Sequence, residues 1–166
     1  MYDVSIPFLL HGLKALDALL TKAETHCDEK KIKHEAILNF RLFPDMFSFV
    51  QQVQLVTDFS KGCAARLSAQ PVPSFPDEEK SFADLHARIA KATAFLESVE
   101  KSALDGAADR NVTIRVGRNE ERTMTGEQYF NGFVMPNFYF HLTTAYNILR
   151  HNGVALGKND FMGRMG

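Results

Sequence analysis

Little in this sequence could staple a fold or gather a charged partner. Only two cysteines occur in 166 residues, Cys27 and Cys63, far apart and without Cys-x-x-Cys spacing. A disulfide framework and a structural zinc site are thereby excluded, and both read as small apolar residues of a reduced protein. Charge of one sign is missing too, since 19 Lys and Arg stand against 20 Asp and Glu for a net charge of -1. No global field draws nucleic acid or an anionic membrane to the surface, so neither is expected as a partner. Pro and Gly are sparse, and 45% hydrophobic with 23% charged residues is an ordinary globular composition. The amino terminus has no basic run, Asp3 being its first charge, so it does not read as a signal peptide. No uninterrupted apolar stretch approaches the roughly 18 residues of a membrane span. The expected compartment is the cytoplasm, which makes Asn111-Val112-Thr113 a chance match to a glycosylation signal.

What is present is helical periodicity. The length suits one domain covering residues 1–166 with a core of its own. Ile6, Leu9, Leu10, Leu13, Leu16 and Leu20 recur at steps of three and four, which predicts a first amphipathic helix over about residues 3–26. A short apolar segment from Ala36 to Phe43 leads to Pro44, where a second helix is expected to begin. That helix carries Phe49, Val53, Val56, Cys63 and Leu67 on one stripe and ends near Ser68, before Pro71, Pro73 and Pro76. A third helix, capped by Ser81 or the acidic run before it, buries Phe82, Leu85, Ile89, Ala92 and Leu96. The period then changes to alternation at Val112, Ile114 and Val116, with turn residues at Gly117 to Glu120, which reads as one β-hairpin. A last helical region runs from about Thr125 to Asn152-Gly153, and Pro136 must kink or split it. The fold class expected is all-α: an up-down four-helix bundle with a small hairpin before the last helix.

Familiar catalytic motifs fail. Gly157-Lys158 lacks the earlier glycine and the following Ser or Thr of a phosphate-binding loop, and it follows a helix. Gly-x-Ser-x-Gly and His-Glu-x-x-His are absent. One constellation survives. At about 100° per residue, His141 falls on the inward face of the last helix beside Phe138, Ala145 and Ile148, with Asn137 one turn earlier. In the second helix Gln52 falls between Val56 and Phe59, with Asp45 one heptad earlier, while Gln51, Gln54 and Asp58 face outward. These placements predict a polar pocket of Asp45, Gln52, Asn137 and His141. An unpaired buried polar group costs about 1–3 kcal/mol, so a mutually hydrogen-bonded cluster is the first expectation. The remaining histidines, at 11, 26, 34, 86 and 151, read as surface residues.

At Pro136-Asn137-Phe138-Tyr139-Phe140-His141, with Ala145-Tyr146, Ile148-Leu149-Arg150, Gly153-Val154 and Gly157-Lys158-Asn159-Asp160-Phe161, the chain resembles a bacterial family of unknown function, domain-of-unknown-function family 1993. That family lies within the DinB/YfiT-like superfamily of helical bundles. Arg41-Leu42-Phe43-Pro44-Asp45-Met46 and Gln52-Val53 match its earlier motif, and the resemblance covers essentially the whole chain. It implies a DinB-like bundle. In DinB-like metalloenzymes three histidines bind a divalent metal, one on the second helix and two spaced His-x-x-x-His on the last, and some relatives transfer thiol cofactors. Anchored on Leu149-Arg150 and Gly153, His141 matches the second histidine of the last helix, Asn137 the first, and Gln52 the one on the second helix.

Two of three ligands are thus amides, which hold zinc or nickel far more weakly than imidazole. The expectation is a non-metal binding or interaction protein with a degenerate metal pocket and no cofactor, whose partner is an unidentified small molecule. The alternative is a metal- or thiol-dependent transferase or hydrolase in which His141 is a base or holds a weakly bound divalent metal, with Asp45 orienting it. A homodimer is compatible with either, since fourteen Phe exceed what one small core obviously needs. The carboxy-terminal segment is expected to fold back through Phe161 and Met162, with Lys158 and Asp160 pairing with Arg41, Asp45 or Arg150.

Overall fold

The computed structural model describes residues 1–117 and 120–163. Its first helix, α1 (Tyr2–Lys30), buries Ile6, Leu9, Leu13, Leu16, Leu20 and Cys27 along one stripe. By length and composition α1 could cross a membrane, because its apolar residues are dense even though no run is unbroken. Half of its most apolar window is nonetheless buried in the bundle, as in a core helix. A short α2 (His34–Leu38) follows.

The next long helix, α3 (Phe49–Leu67), starts five residues after Pro44. Ser48 takes an extended conformation as its N-cap, and Gln51 Oε1 accepts from the Ser48 amide at 3.0 Å. Pro44 therefore lies in a turn of the preceding loop, and the heptad reading that placed Asp45 on this helix does not hold. After α4 (Phe82–Glu97) and a 3₁₀ turn (Lys101–Leu104) come β1 (Asn111–Val116) and β2 (Glu120–Thr125). They pair antiparallel with Val112 opposite Met124. Arg118 and Asn119, in the turn expected there, lie outside the described residues, as do residues 164–166.

Thr125 caps a short α5 (Gly126–Tyr129), its hydroxyl accepting from the Gln128 amide. Pro136 has no N–H to give to the turn before it. The helix absorbs this as a π-turn over Phe130–Val134, in which the Met135 amide donates to the Phe130 carbonyl, and α6 (Met135–His151) continues beyond. Gly153, at φ 87°, ends α6 and lets Val154 N–H close onto the Leu149 carbonyl at 3.1 Å.

The sense of the helices follows from who meets whom. Asp17 of α1 meets His86 of α4, and Asp3 meets Lys101 beyond the end of α4, so α1 and α4 are antiparallel. Phe49 packs on Phe82 and Thr57 meets Arg88, so α3 and α4 run the same way. Gln52 meets His141 and Arg66 meets Tyr129, so α6 returns against α3. The order is up, down, down, up rather than a plain up-down alternation. The segment between Leu67 and Phe82 allows this, since its extended reach of about 45 Å exceeds the roughly 28 Å length of α3. It travels back along α3: the Pro73 carbonyl accepts from Lys61 at 3.0 Å, and Glu79 accepts from Gln54 at 2.7 Å.

Arg88 pins this return. Only 3% exposed, it donates from Nε to Thr57 Oγ1 at 2.7 Å, from Nη1 to Glu79 at 2.8 Å and the Pro76 carbonyl at 3.1 Å, and from Nη2 to Asp58 at 2.9 Å. Asp77 lies 3.0 Å from Nη1. Burial alone would raise the Glu79 carboxyl, but hydrogen bonds from Arg88 and Gln54 outweigh it and hold it below its ordinary value. Gln54 and Asp58, expected to face solvent, are thus engaged, Gln54 by Glu79 of the connector and Asp58 by Arg88 of α4. The acidic run before α4 serves Arg88 more than the helix end, which Ser81 caps by accepting from the Asp84 amide.

The tail folds back as α7 (Lys158–Met162) along α1. Asp160 pairs with Lys22 at 2.6 Å, His11 Nε2 donates to the Met162 carbonyl at 2.5 Å, and Phe161 meets the Tyr146 ring edge-on at 5.7 Å. The cation met is Lys22, not Arg41 or Arg150, because the return path follows α1.

Two outcomes follow. Arg88→Met leaves the Glu79 carboxylate, 10% exposed, without its cation, and should cost about 3 kcal/mol in urea unfolding, with Arg88→Lys restoring only part. A neutral Arg88→Met would show that apolar contacts alone hold the connector. Truncation after Gly153 removes the buried Val154 as well as α7, and should lower the melting temperature by on the order of 10 °C; an unchanged melt would make the segment a mere appendage.

Candidate functional site

The pair at the centre is built by two antiparallel helices, α3 and α6. Gln52 lies in the first turn of α3 and His141 two turns into α6. His141 Nδ1 and Gln52 Oε1 are 2.8 Å apart. The other end of the Gln52 amide donates from Nε2 to the Phe47 carbonyl at 3.1 Å. A carbonyl only accepts, so the amide has one orientation and presents its oxygen to the imidazole. His141 therefore carries a proton on Nδ1, and in the neutral ring Nε2 keeps a bare lone pair.

Burial lowers the His141 pKa from its ordinary 6.5. The ring is neutral at pH 7, and protonation favours the unfolded chain. The stability owed to this shift is complete above pH 6.5 and is lost as pH falls towards the folded value. Aromatic rings enclose the imidazole: Phe59 stacks on it at 5.7 Å, and Phe140 meets it edge-on at 5.2 Å. Phe59 in turn packs on Phe133 of the π-turn, which stacks on Tyr129, so one aromatic row links the site to the segment that Pro136 deforms.

The four expected site residues are divided by the structure. Gln52 and His141 are bonded directly. Asn137 lies one turn before His141, half-buried, but its Nδ2 donates to the Phe133 carbonyl at 2.7 Å and it bonds to neither partner. Asp45 is exposed in the loop before α3, so it cannot orient His141; Gln52 holds that place. Gln52, Asn137 and His141 do not line the five best-formed cavities, of 250–460 Å³, but the smallest of these is lined by Phe59, Phe133 and Tyr129, the aromatic row beside His141.

The donor set does not suit a transition metal. Gln52 Oε1 is engaged by Nδ1, while Nε2 points out of the opposite side of the ring, so the two cannot share one ion. Among the described residues no group of three His, Cys, Asp or Glu side chains gathers. The two cysteines are poor nucleophiles: both are buried, and desolvation pushes the Cys63 thiol up to about 12. The surface histidines are better partnered than expected, His86 by Asp17 at 2.5 Å and His34 by Asp28 at 2.9 Å. Missed in the sequence was Arg88. Its signal was a cation at an inward position, three residues after Leu85 and one before Ile89, following the acidic run Asp77-Glu78-Glu79.

Comparisons with known proteins agree with this architecture. No curated protein matches the chain. A crystal structure of a DinB family member protein from Shewanella denitrificans is similar at a TM-score of 0.91 and 38% identity, over 99% of this chain and 92% of that one. The model of the family described as Domain of unknown function (DUF1993) matches residues 1–162. The chain therefore belongs to the DUF1993 family and has the DinB bundle fold.

Proposed function

We propose that this is a non-metal binding protein. The position assigned to a metal by likeness to DinB enzymes carries instead a hydrogen-bonded Gln52–His141 pair. The observation that supports this is the Gln52 amide, anchored on the Phe47 carbonyl and directed at Nδ1. An amide in that orientation satisfies one ring nitrogen and leaves the other as a neutral acceptor, suited to an uncharged partner that donates a hydrogen bond. An enzymatic reading keeps His141 as a base, but requires a group to orient and charge it. Asp45 is exposed in its loop and does not supply one.

Removing His141 separates the readings. His141→Leu strands the buried Gln52 oxygen and should cost about 1–3 kcal/mol. His141→Gln, which can still donate, should cost less. Thermal melts of all three proteins should be unchanged by a chelator, and untagged protein should hold far less than one transition metal per chain. About one zinc or nickel per chain, lost in His141→Leu along with chelator sensitivity, would overturn the proposal.

A further inference from the structure

One ring nitrogen remains free at the end of this arrangement. His141 is 7% exposed, and its Nδ1 is held by Gln52. Among the described residues Nε2 has no hydrogen-bond partner. Among the described residues no fully buried side-chain nitrogen or oxygen lacks one, so Nε2 keeps some exposure to solvent. Its surroundings are phenyl rings. Phe59 covers one face of the imidazole, and Phe140, 58% exposed, stands edge-on beside it. Solvent thus meets a bare nitrogen acceptor set in apolar surface, an arrangement neither burial nor solubility calls for.

The chemistry of that surface selects among ligands. A carboxylate or phosphate anion has no proton to give Nε2. An ammonium group would leave water for a neutral ring flanked by phenyl groups, to which no carboxylate is bonded among the described residues. A purely apolar molecule would cover Nε2 and leave it unpaired, at a cost. A neutral hydroxyl on a flat ring meets both demands. We infer that His141 Nε2 and its phenyl rim bind a neutral aromatic molecule carrying one hydroxyl, which donates to Nε2 while its ring lies against Phe140. This rests on the non-metal reading above, since an ion on Nε2 would occupy the same lone pair.

The chain contains no tryptophan, so the fluorescence anisotropy of 2-naphthol, titrated with the full protein, reports binding without background. Naphthalene and 2-naphthoate serve as comparators. The expected result is 2-naphthol bound about tenfold more tightly than naphthalene, the worth of one hydrogen bond, and more tightly than 2-naphthoate. Phe140→Ala, at an exposed position, should weaken 2-naphthol several-fold with an unchanged melting temperature. Gln52→Glu supplies the sharper control. A carboxylate beside Nδ1 favours the imidazolium, Nε2 becomes a donor, and preference should turn from 2-naphthol towards 2-naphthoate. Equal binding of naphthalene and 2-naphthol, no binding of 2-naphthol, or no change of preference in Gln52→Glu would overturn the inference. Metal content measured on the same preparation keeps the two claims apart: metal-free protein that ignores 2-naphthol contradicts only the ligand, whereas stoichiometric metal contradicts the reading beneath it.

Discussion

The buried guanidinium of Arg88 is the constraint from which the rest of this bundle follows. A cation there cannot be left without acceptors, and α3 and α4 supply only Thr57 and Asp58. The others, Glu79, Asp77 and the Pro76 carbonyl, come from the returning connector. Satisfying Arg88 therefore requires the segment after α3 to run back along it, which makes α4 parallel to α3. With α4 so placed, α6 is left to pack antiparallel against α3, and that pairing brings His141 to Gln52. Phe75 adds apolar cover, its ring lying beneath Lys61 at 4.6 Å and Lys91 at 4.3 Å.

A second constraint acts along α6 itself. Pro136 would break an ordinary helix, and the π-turn before it re-aims the preceding residues so that Phe133 stacks on Tyr129 and meets Phe59 edge-on. Asn137 closes the deformed turn by donating to the Phe133 carbonyl. This is why a residue on the right helical face does not join the pair: its side-chain amide is taken by the Phe133 carbonyl. On the other side of α6, a Cβ at Gly12 would stand 2.5 Å from the Phe138 ring, so the small residue on α1 sets the close approach there.

Much of this was legible in the sequence, because burial follows periodicity. The stripes through Leu9, Val53, Leu85 and Ile148 located the long helices, alternation at Val112 and Ile114 located the hairpin, and the inward phase of Gln52 and His141 was readable from spacing alone. What spacing could not give was long-range pairing. Gln54 and Asp58 look like solvent-facing residues on a wheel, and only the connector's Glu79 and the Arg88 of α4 give them partners. Asp45 was misplaced because Pro44 suits a helix start equally well as a turn, and the competing cap at Ser48 prevails through Gln51. The helix wheel gave the face of Asn137 correctly, but it does not say which acceptor an amide will choose.

The pair at the site is defined by one proton. Burial keeps His141 neutral and the orientation of Gln52 puts its proton on Nδ1, leaving Nε2 bare; the proposed non-metal role and the proposed hydroxyl ligand both depend on that state. Nitrogen-15 NMR of the labelled imidazole at neutral pH reads it directly. The account predicts a protonated Nδ1 and an unprotonated Nε2, with neither signal moved by a chelator. A proton on Nε2 with Nδ1 bare, or an Nε2 signal that shifts when chelator strips an ion from it, would contradict the account.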